Sequence, residues 1–194
     1  MAIKGYKTFD KGLVNRYGKV FIEGASYEED VTPRFGNDGR GMHFCKRLED
    51  TLRYFNATEE EVDIAEVTAY GDLAEGEDEY GGFYDMYATN KLRIDHVLTR
   101  DEILRMFLSM EPNERVKRFI KYFRLDDIEL SMFQKVMVDE RPKTIVTYNV
   151  DGTVTREHTY NIKQIEDEIK KSYERNRKLE NVGNLELKLK SHKK

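Results

Sequence analysis

The stretch from Gly41 to Phe55 reads GMHFCKRLEDTLRYF, and it joins a short apolar run directly to a helical pattern. The run from Met42 to Cys45 has the length and composition of a buried strand. Leu48, Leu52 and Phe55 follow at spacings of four and three residues, which predicts an amphipathic helix. The sequence therefore predicts a strand that passes straight into a helix.

His43 lies on this strand, just before the helix, where a side chain can line a cleft. It is a candidate catalytic residue. The alternative is a histidine held in the core by ordinary hydrogen bonds, since buried polar groups only need partners.

The whole chain has 194 residues, 39% of them hydrophobic and 36% charged, with a net charge of -4. This composition predicts one ordinary folded domain, or one domain with a helical appendage. The only cysteine, Cys45, excludes an internal disulfide framework, and no apolar run is long enough to cross a membrane. We expect a cytoplasmic protein with no membrane partner.

Acidic residues are concentrated between residues 56 and 90, where 11 Asp and Glu occur with no Lys or Arg. A surface of one sign attracts basic partners and repels nucleic acid. We expect a protein partner with a basic surface, and the alternative is a solvated acidic loop. The predicted partner-binding residues are Glu59, Glu60, Glu61, Glu75, Glu77, Asp78, Glu79 and Asp85.

Alternating apolar residues predict strands at 2–9, 19–28, 42–45, 62–70 and 88–98. Thr99 and Glu102 have the spacing of a capping box that opens a helix. Three apolar stripes then predict three short helices up to residue 141, the third stripe being Ile128, Met132, Phe133 and Val136. Asp151-Gly152 predicts a hairpin turn, residues 162–179 a charged helix that ends at Gly183 and Asn184, and residues 185–194 an edge strand or a frayed tail. The predicted divisions are residues 1–98, 99–141 and 142–194.

Common cofactor and catalytic motifs are absent from the sequence. It contains no P-loop, no dinucleotide-binding glycine-rich turn, no zinc-ligand spacing and no nucleophile elbow around a serine. No metal site is predicted.

The N-terminal half resembles a domain family of unknown function that is common in phages and prophages. The resemblance covers about residues 3–98 and implies an origin in a mobile element. The segments that carry it are Lys4 to Phe9, the Gly-x-His-x-Cys element Gly41 to Cys45, Tyr54-Phe55, Ala65-Glu66-Val67, Gly71 and Asn90 to Ile94.

The order of these segments also resembles the ADP-ribosyltransferase superfamily. Gly41-x-His43-Phe44 followed by Tyr54 is similar to that superfamily's second motif. The resemblance implies an α+β fold with an ADP-ribosyltransferase-like split β-sheet core, here followed by a helical subdomain, a β-hairpin and a C-terminal helix. The positions that hold NAD ribose, stack on nicotinamide and grip the 2′-hydroxyl in that superfamily correspond to Lys7, His43 and Asn90. Tyr6, Thr8 and Tyr54 would line the same ligand cleft.

Three functions are compatible with these patterns. The first is a phage or mobile-element accessory protein that needs no cofactor and modulates a host or defence protein, for example a CRISPR effector, in a bacterial cytoplasm. The alternative is an enzyme with altered chemistry at the same cleft, an NAD- or RNA-directed transferase or hydrolase. There His43 would act as acid, base or stacking group, Lys7 would hold phosphate or ribose, and Asn90 would orient the substrate. A second alternative is a nucleic-acid-binding module that uses the C-terminal half, where residues 99–194 hold 21 basic and 17 acidic side chains.

Overall fold

The computed structural model describes residues 2–35, 39–55, 57–76, 86–110, 114–139, 145–148, 154–158 and 162–191. The chain forms two compact units, Met1–Arg105 and Met106–Lys194. The sequence predicted a first domain boundary after residue 98 and a second after residue 141. The α+β class is confirmed, since both strands and helices build the described chain.

The first unit contains seven strands that form one antiparallel sheet in the order β2-β7-β4-β1-β3-β6-β5. The four-residue helix α1 (Leu48–Thr51) and a 3-10 turn (Leu52–Tyr54) follow β3. The strands are β1 (Ile3–Asp10), β2 (Ser26–Glu28), β3 (Met42–Cys45), β4 (Val62–Ala69), β5 (Leu73–Gly76), β6 (Met86–Thr89) and β7 (Lys91–Val97).

The connection between β6 and β7 requires the sheet to curl. Asn90 alone joins these strands, yet β3, β1 and β4 lie between them in the sheet. In a flat sheet this would mean crossing four strand spacings, about 19 Å, whereas one linking residue spans only about 7 Å. Residues 86–97 therefore form one strand that bends at Asn90. Residues 62–76 bend beside it, because β4 pairs with β7 and β5 pairs with β6.

Asn90, Gly71 and Asp72 form the corner of this bent pair. The Asn90 side-chain oxygen accepts a hydrogen bond from the Asp72 amide at 2.8 Å, and its Nδ2 donates to the Asp72 carboxylate at 3.2 Å. A Cβ on Gly71 would lie 2.0 Å from the Asn90 Oδ1 and 2.8 Å from the Lys91 Cγ. Only glycine leaves room for the amide that closes the corner.

β1 and β3 meet at one paired position, Tyr6 opposite Cys45. Gly5 permits this approach, because a Cβ at that residue would lie 2.4 Å from the Cys45 carbonyl oxygen. The curled sheet encloses one hydrophobic core. Strands on both sides of the bend contribute residues to this core, and their packing holds the two sides together. Its buried members are Phe9, Leu13, Phe21, Met42, Phe44, Ala65, Val67, Ala69, Tyr87, Leu92 and Ile94.

The predicted strands of this unit are largely confirmed, with two corrections. Of the strand expected at 19–28, only Ser26–Glu28 forms, because Gly24, with a positive φ of 79°, turns the chain before it. No strand was expected between residues 70 and 88, but β5 occupies 73–76, since its backbone pairs with β6. The helix expected over 48–55 is shorter, and Phe55 already has extended backbone.

The predicted capping box is confirmed at the start of α2 (Arg100–Leu108). The Thr99 amide donates to the Glu102 carboxylate at 2.7 Å, and the Glu102 amide donates to the Thr99 hydroxyl at 3.3 Å. His96 lies beside it, with one ring nitrogen 2.9 Å from Glu23 and the other 3.0 Å from Glu102. These hydrogen bonds raise the pKa of His96, Glu23 contributing most. His96 therefore ties the segment before β2 to the start of α2.

The second unit contains α3 (Glu114–Tyr122), α4 (Asp127–Asp139), a hairpin of β8 (Ile145–Tyr148) and β9 (Val154–His158), and α5 (Ile162–Ser191). The antiparallel pairing of β8 with β9 and the stripe of Val116, Phe119, Ile120 and Phe123 are confirmed. The turn predicted at Asp151-Gly152 lies outside the described residues. The Asn176 side chain on α5 donates to the Leu125 carbonyl at 2.9 Å and to Asp127 at 3.0 Å, fixing α5 against the start of α4.

Two expectations about this unit were wrong. The C-terminal helix does not end at Gly183 and Asn184 but continues to Ser191, so the tail is neither an edge strand nor frayed over 185–191. An isolated Gly costs only about 1 kcal/mol in a helix, which neighbouring helix-forming residues offset. On α4, Phe133 is buried as expected, but Ile128, Met132 and Val136 are exposed, because Leu130 and Phe133 face the core instead.

Candidate functional site

Lys7 lies on β1 and, by strand alternation, on the same face as the buried Phe9. Its ammonium group is 5.3 Å from the centre of the Phe9 ring and donates a hydrogen bond of 2.7 Å to the His43 carbonyl oxygen. It thus bridges β1 and β3 next to their single paired position. Within the described residues, no carboxylate lies at ion-pair distance from it.

Burial lowers the pKa of Lys7 to about 8. The nearby positive charge of Arg16 acts in the same direction, while Cys45 and Glu29 oppose it. An ammonium ion has three donors, and the His43 carbonyl uses one of them. Lys7 is therefore able to bind an anion or to exchange a proton close to neutral pH.

His43 is exposed, and its ring stacks on Phe35 with the ring centres 4.8 Å apart and the planes at 12°. The Nε2 atom lies 3.4 Å from the Arg34 carbonyl oxygen. Desolvation lowers the pKa of His43, and the charge of Lys7 adds a smaller effect in the same direction. The imidazole is thus neutral at pH 7 and able to stack on a planar ligand or to accept a proton.

Lys7 and His43 are the two predicted site residues that meet, through the bond from the Lys7 ammonium to the His43 backbone carbonyl. Strand alternation places the His43 ring on the opposite face from Lys7, because its neighbours Met42 and Phe44 are the residues of β3 that enter the core. Two titratable groups whose pKa values are shifted at one place are a common sign of a functional site. Phe35, which shapes the His43 ring environment, was missed by sequence reasoning, because it lies in a glycine-rich loop with no periodic pattern. Its aromatic side chain in an otherwise polar loop was the only available signal.

Asn90, the third predicted catalytic residue, lies at the corner described above. Both polar atoms of its amide are bonded to Asp72. A role in orienting a substrate stays a prediction, and it would require Asn90 to release the bonds that close the corner.

The three residues predicted to line the ligand cleft occupy a different face from Lys7. Tyr6 and Thr8 alternate with Lys7 along β1 and therefore point to the other side of the sheet. Thr8 is buried and donates to the Thr51 hydroxyl at 2.6 Å. The Tyr54 hydroxyl donates to the Met86 sulfur. The structure does not bring these side chains to the Lys7 face.

The predicted acidic surface is divided. Glu59, Glu60 and Glu61 are exposed just before β4, and Glu75 is exposed on β5. The two groups lie at opposite ends of the bent strand 62–76. Glu77, Asp78, Glu79 and Asp85 lie outside the described residues, on the connection that leaves β5 for β6.

Other types of site find no support within the described ranges. There, no group of three His, Cys, Asp or Glu side chains is arranged to hold a metal ion. No helix in the same part of the chain combines the length and apolar character needed to cross a membrane. A shallow groove in the second unit, between α4 and α5, is lined by Gln134, Glu166, Ile169, Lys170 and Tyr173 and contains none of the predicted residues.

The lowered pKa of Lys7 predicts how the amine titrates. We expect its NMR-monitored titration to have a midpoint near 8, well below the ordinary lysine pKa of about 10.4. Between these values the folded chain binds fewer protons than the unfolded chain, so Lys7 makes stability rise with pH. The substitution Lys7→Met should remove that rise, and Lys4→Met should not. A Lys7 midpoint above 10 would contradict the burial of its amine.

Comparison with known proteins places the first unit in a family. No curated protein and no solved structure matches the chain significantly. Residues 3–106, more than half of the chain, match the sequence profile of a family described as a domain of unknown function, DUF7666. The chain belongs to this family.

Proposed function

We propose that the chain is a binding protein that engages a basic protein partner through the β5–β6 hairpin. β5 lies at one end of the sheet order and pairs only with β6 among the described strands. An edge strand offers free backbone donors and acceptors to a partner. This edge position is the observation that carries the proposal.

The charge of the hairpin supports the same proposal. Glu75 is exposed on β5. The nine residues between β5 and β6 contain Glu77, Asp78, Glu79 and Asp85 but no Lys or Arg. A connection of this charge would attract basic surfaces and accelerate association with them.

The state of Asn90 favours binding over catalysis. An ADP-ribosyltransferase-like reaction needs a carboxylate to stabilise developing positive charge, and the corresponding residue here is a neutral amide bonded to Asp72. Losing such an electrostatic contribution typically costs a hundredfold to a thousandfold in rate.

The nature of the partner follows from the family resemblance and the charge. In a phage or mobile element, a host or defence protein that binds nucleic acid through a basic groove, such as a CRISPR effector, would accept an acidic hairpin in place of phosphates. The proposed role is to occupy that basic groove and so modulate the activity of the partner protein.

The hairpin proposal predicts a position-dependent charge effect. The triple variant Glu77→Gln, Asp78→Asn, Glu79→Gln should lose a partner that the natural chain captures from a bacterial lysate and rebinds after purification. The matched control Glu59→Gln, Glu60→Gln, Glu61→Gln removes the same charge at the other end of the bent strand and should retain the partner. Equal loss of the partner in both variants would indicate a general charge effect and not binding by the hairpin. Failure to capture a partner from any host tested would contradict the hairpin proposal.

Lys7 favours a second candidate function, binding of an anionic nucleotide such as NAD. Its desolvated ammonium, which spends one donor on the His43 backbone carbonyl, has donors left that suit a phosphate group. Calorimetry should then detect NAD binding that weakens at least tenfold in Lys7→Met and is unchanged in Lys4→Met. Absence of binding, together with no transfer to RNA from labelled NAD, would exclude this candidate and leave the hairpin proposal intact.

A further inference from the structure

We propose that Glu23, His96 and Glu102 form a pH-sensitive clasp at the start of α2. The clasp holds the first turn of α2 against the turn at residues 22–25 when the His96 imidazole is protonated, and it opens when the imidazole loses that proton. None of the three residues belongs to the β5–β6 hairpin or to the Lys7 site.

The position of the His96 ring requires two protons on it. Its Nδ1 atom lies 2.9 Å from a Glu23 carboxylate oxygen, and its Nε2 atom lies 3.0 Å and 3.1 Å from the two Glu102 carboxylate oxygens. An ionised carboxylate can only accept hydrogen bonds, and a neutral imidazole has one N–H, whereas the imidazolium has two. Only the imidazolium therefore makes both contacts at once.

Each carboxylate is also held in place by a partner other than His96. Glu23 accepts the Val97 amide at 2.9 Å, and Glu102 accepts the Thr99 amide at 2.7 Å and the Thr99 hydroxyl at 2.8 Å. The two carboxylates thus stay where they are when His96 loses a proton. One ring nitrogen then presents a lone pair to a fixed negative charge, and that contact becomes repulsive.

The clasp joins two parts of the chain that are far apart in sequence. The turn at residues 22–25 is closed by the Ala25 amide, which donates to the Ile22 carbonyl at 3.2 Å, and its Gly24 amide donates to the Ile94 carbonyl of β7 at 2.8 Å. α2 carries the chain out of the first unit, since that unit ends at Arg105 within the helix. The clasp therefore anchors the base of this helix to the sheet from which it leaves.

The titration of the three groups fits a switch that His96 operates. The Val97 amide, and then His96, hold the pKa of Glu23 below its ordinary value. Bonds from Thr99 and His96 lower the pKa of Glu102 to about 2. The two carboxylates in turn raise the pKa of His96, Glu23 contributing most. Of the three clasp groups, only His96 therefore titrates near neutral pH.

The other charges around the clasp do not oppose this titration. Glu66 lies opposite His96 in the pairing of β4 with β7 and also favours the imidazolium. Asp95, which precedes His96, forms an ion pair with Arg93. The first turn of α2 adds one charge of each sign, on Arg100 and Asp101.

An NMR titration of the full-length chain tests the clasp against an internal control. His96 should titrate above about 6.5, the ordinary histidine value, whereas His43, whose pKa is lowered by desolvation, should titrate below it. Glu102→Gln keeps the capping-box pattern, and this variant and Glu23→Gln should each lower the His96 midpoint without moving that of His43. A His96 midpoint at or below 6.5, or one that neither substitution moves, would overturn the proposal.

Amide hydrogen exchange measures the opening itself. The Ile103 amide donates to the Thr99 carbonyl at 3.0 Å in the first turn of α2. Corrected for intrinsic exchange, its protection should fall severalfold as the pH rises through the His96 midpoint, because a raised histidine pKa stabilises the fold below that midpoint and the effect is lost above it. His96→Gln should abolish this pH dependence, and the matched control His43→Gln should retain it. Constant protection in the natural chain, or the same fall in His96→Gln, would contradict the clasp.

Discussion

The corner formed by Asn90, Gly71 and Asp72 is the constraint on which the first unit depends. A single residue joins two strands that have three other strands between them in the sheet, so an open sheet cannot be built from this chain. The Asn90 amide replaces the strand pairing that is interrupted at the bend, and the absence of a Cβ on Gly71 gives it the necessary space. The two sides of the bent sheet then enclose one hydrophobic core.

This constraint also decides which polar residues are available for function. Asn90 holds the corner and Thr8 is bonded to Thr51, so both already have structural partners. Lys7 and His43 remain at the junction of β1 and β3, on opposite faces of the sheet, and desolvation lowers the pKa of each side chain.

Much of the fold was predictable because local patterns and tertiary packing agree. The strand from Met42 to Cys45, the capping box at Thr99 and the pairing of β8 with β9 have short-range signals that the structure confirms. β5 was not predictable, because Leu73 is the only large apolar residue among its four and the segment becomes a strand only by pairing with β6.

The candidate site was predictable only in part. The apolar run around His43 marked the right strand, but the contact of Lys7 with the His43 carbonyl depends on how β1 and β3 meet, which no local pattern contains. Likewise, the acidic residues are continuous in the sequence, yet the bend separates Glu61 from Glu75. On α4, the apolar spacing could not distinguish the face that packs inside from the face that stays exposed.

The corner can be tested most directly at the Asp72 amide, whose hydrogen bond to Asn90 exists only if the two strands bend together. Amide hydrogen exchange and urea unfolding should be compared between the natural chain and Asn90→Ala. Loss of Asp72 protection, with a fall of about 0.5–1.5 kcal/mol in the free energy of unfolding, is expected when this exposed hydrogen bond loses its acceptor. Unchanged protection and unchanged stability in Asn90→Ala would contradict the structural role of Asn90.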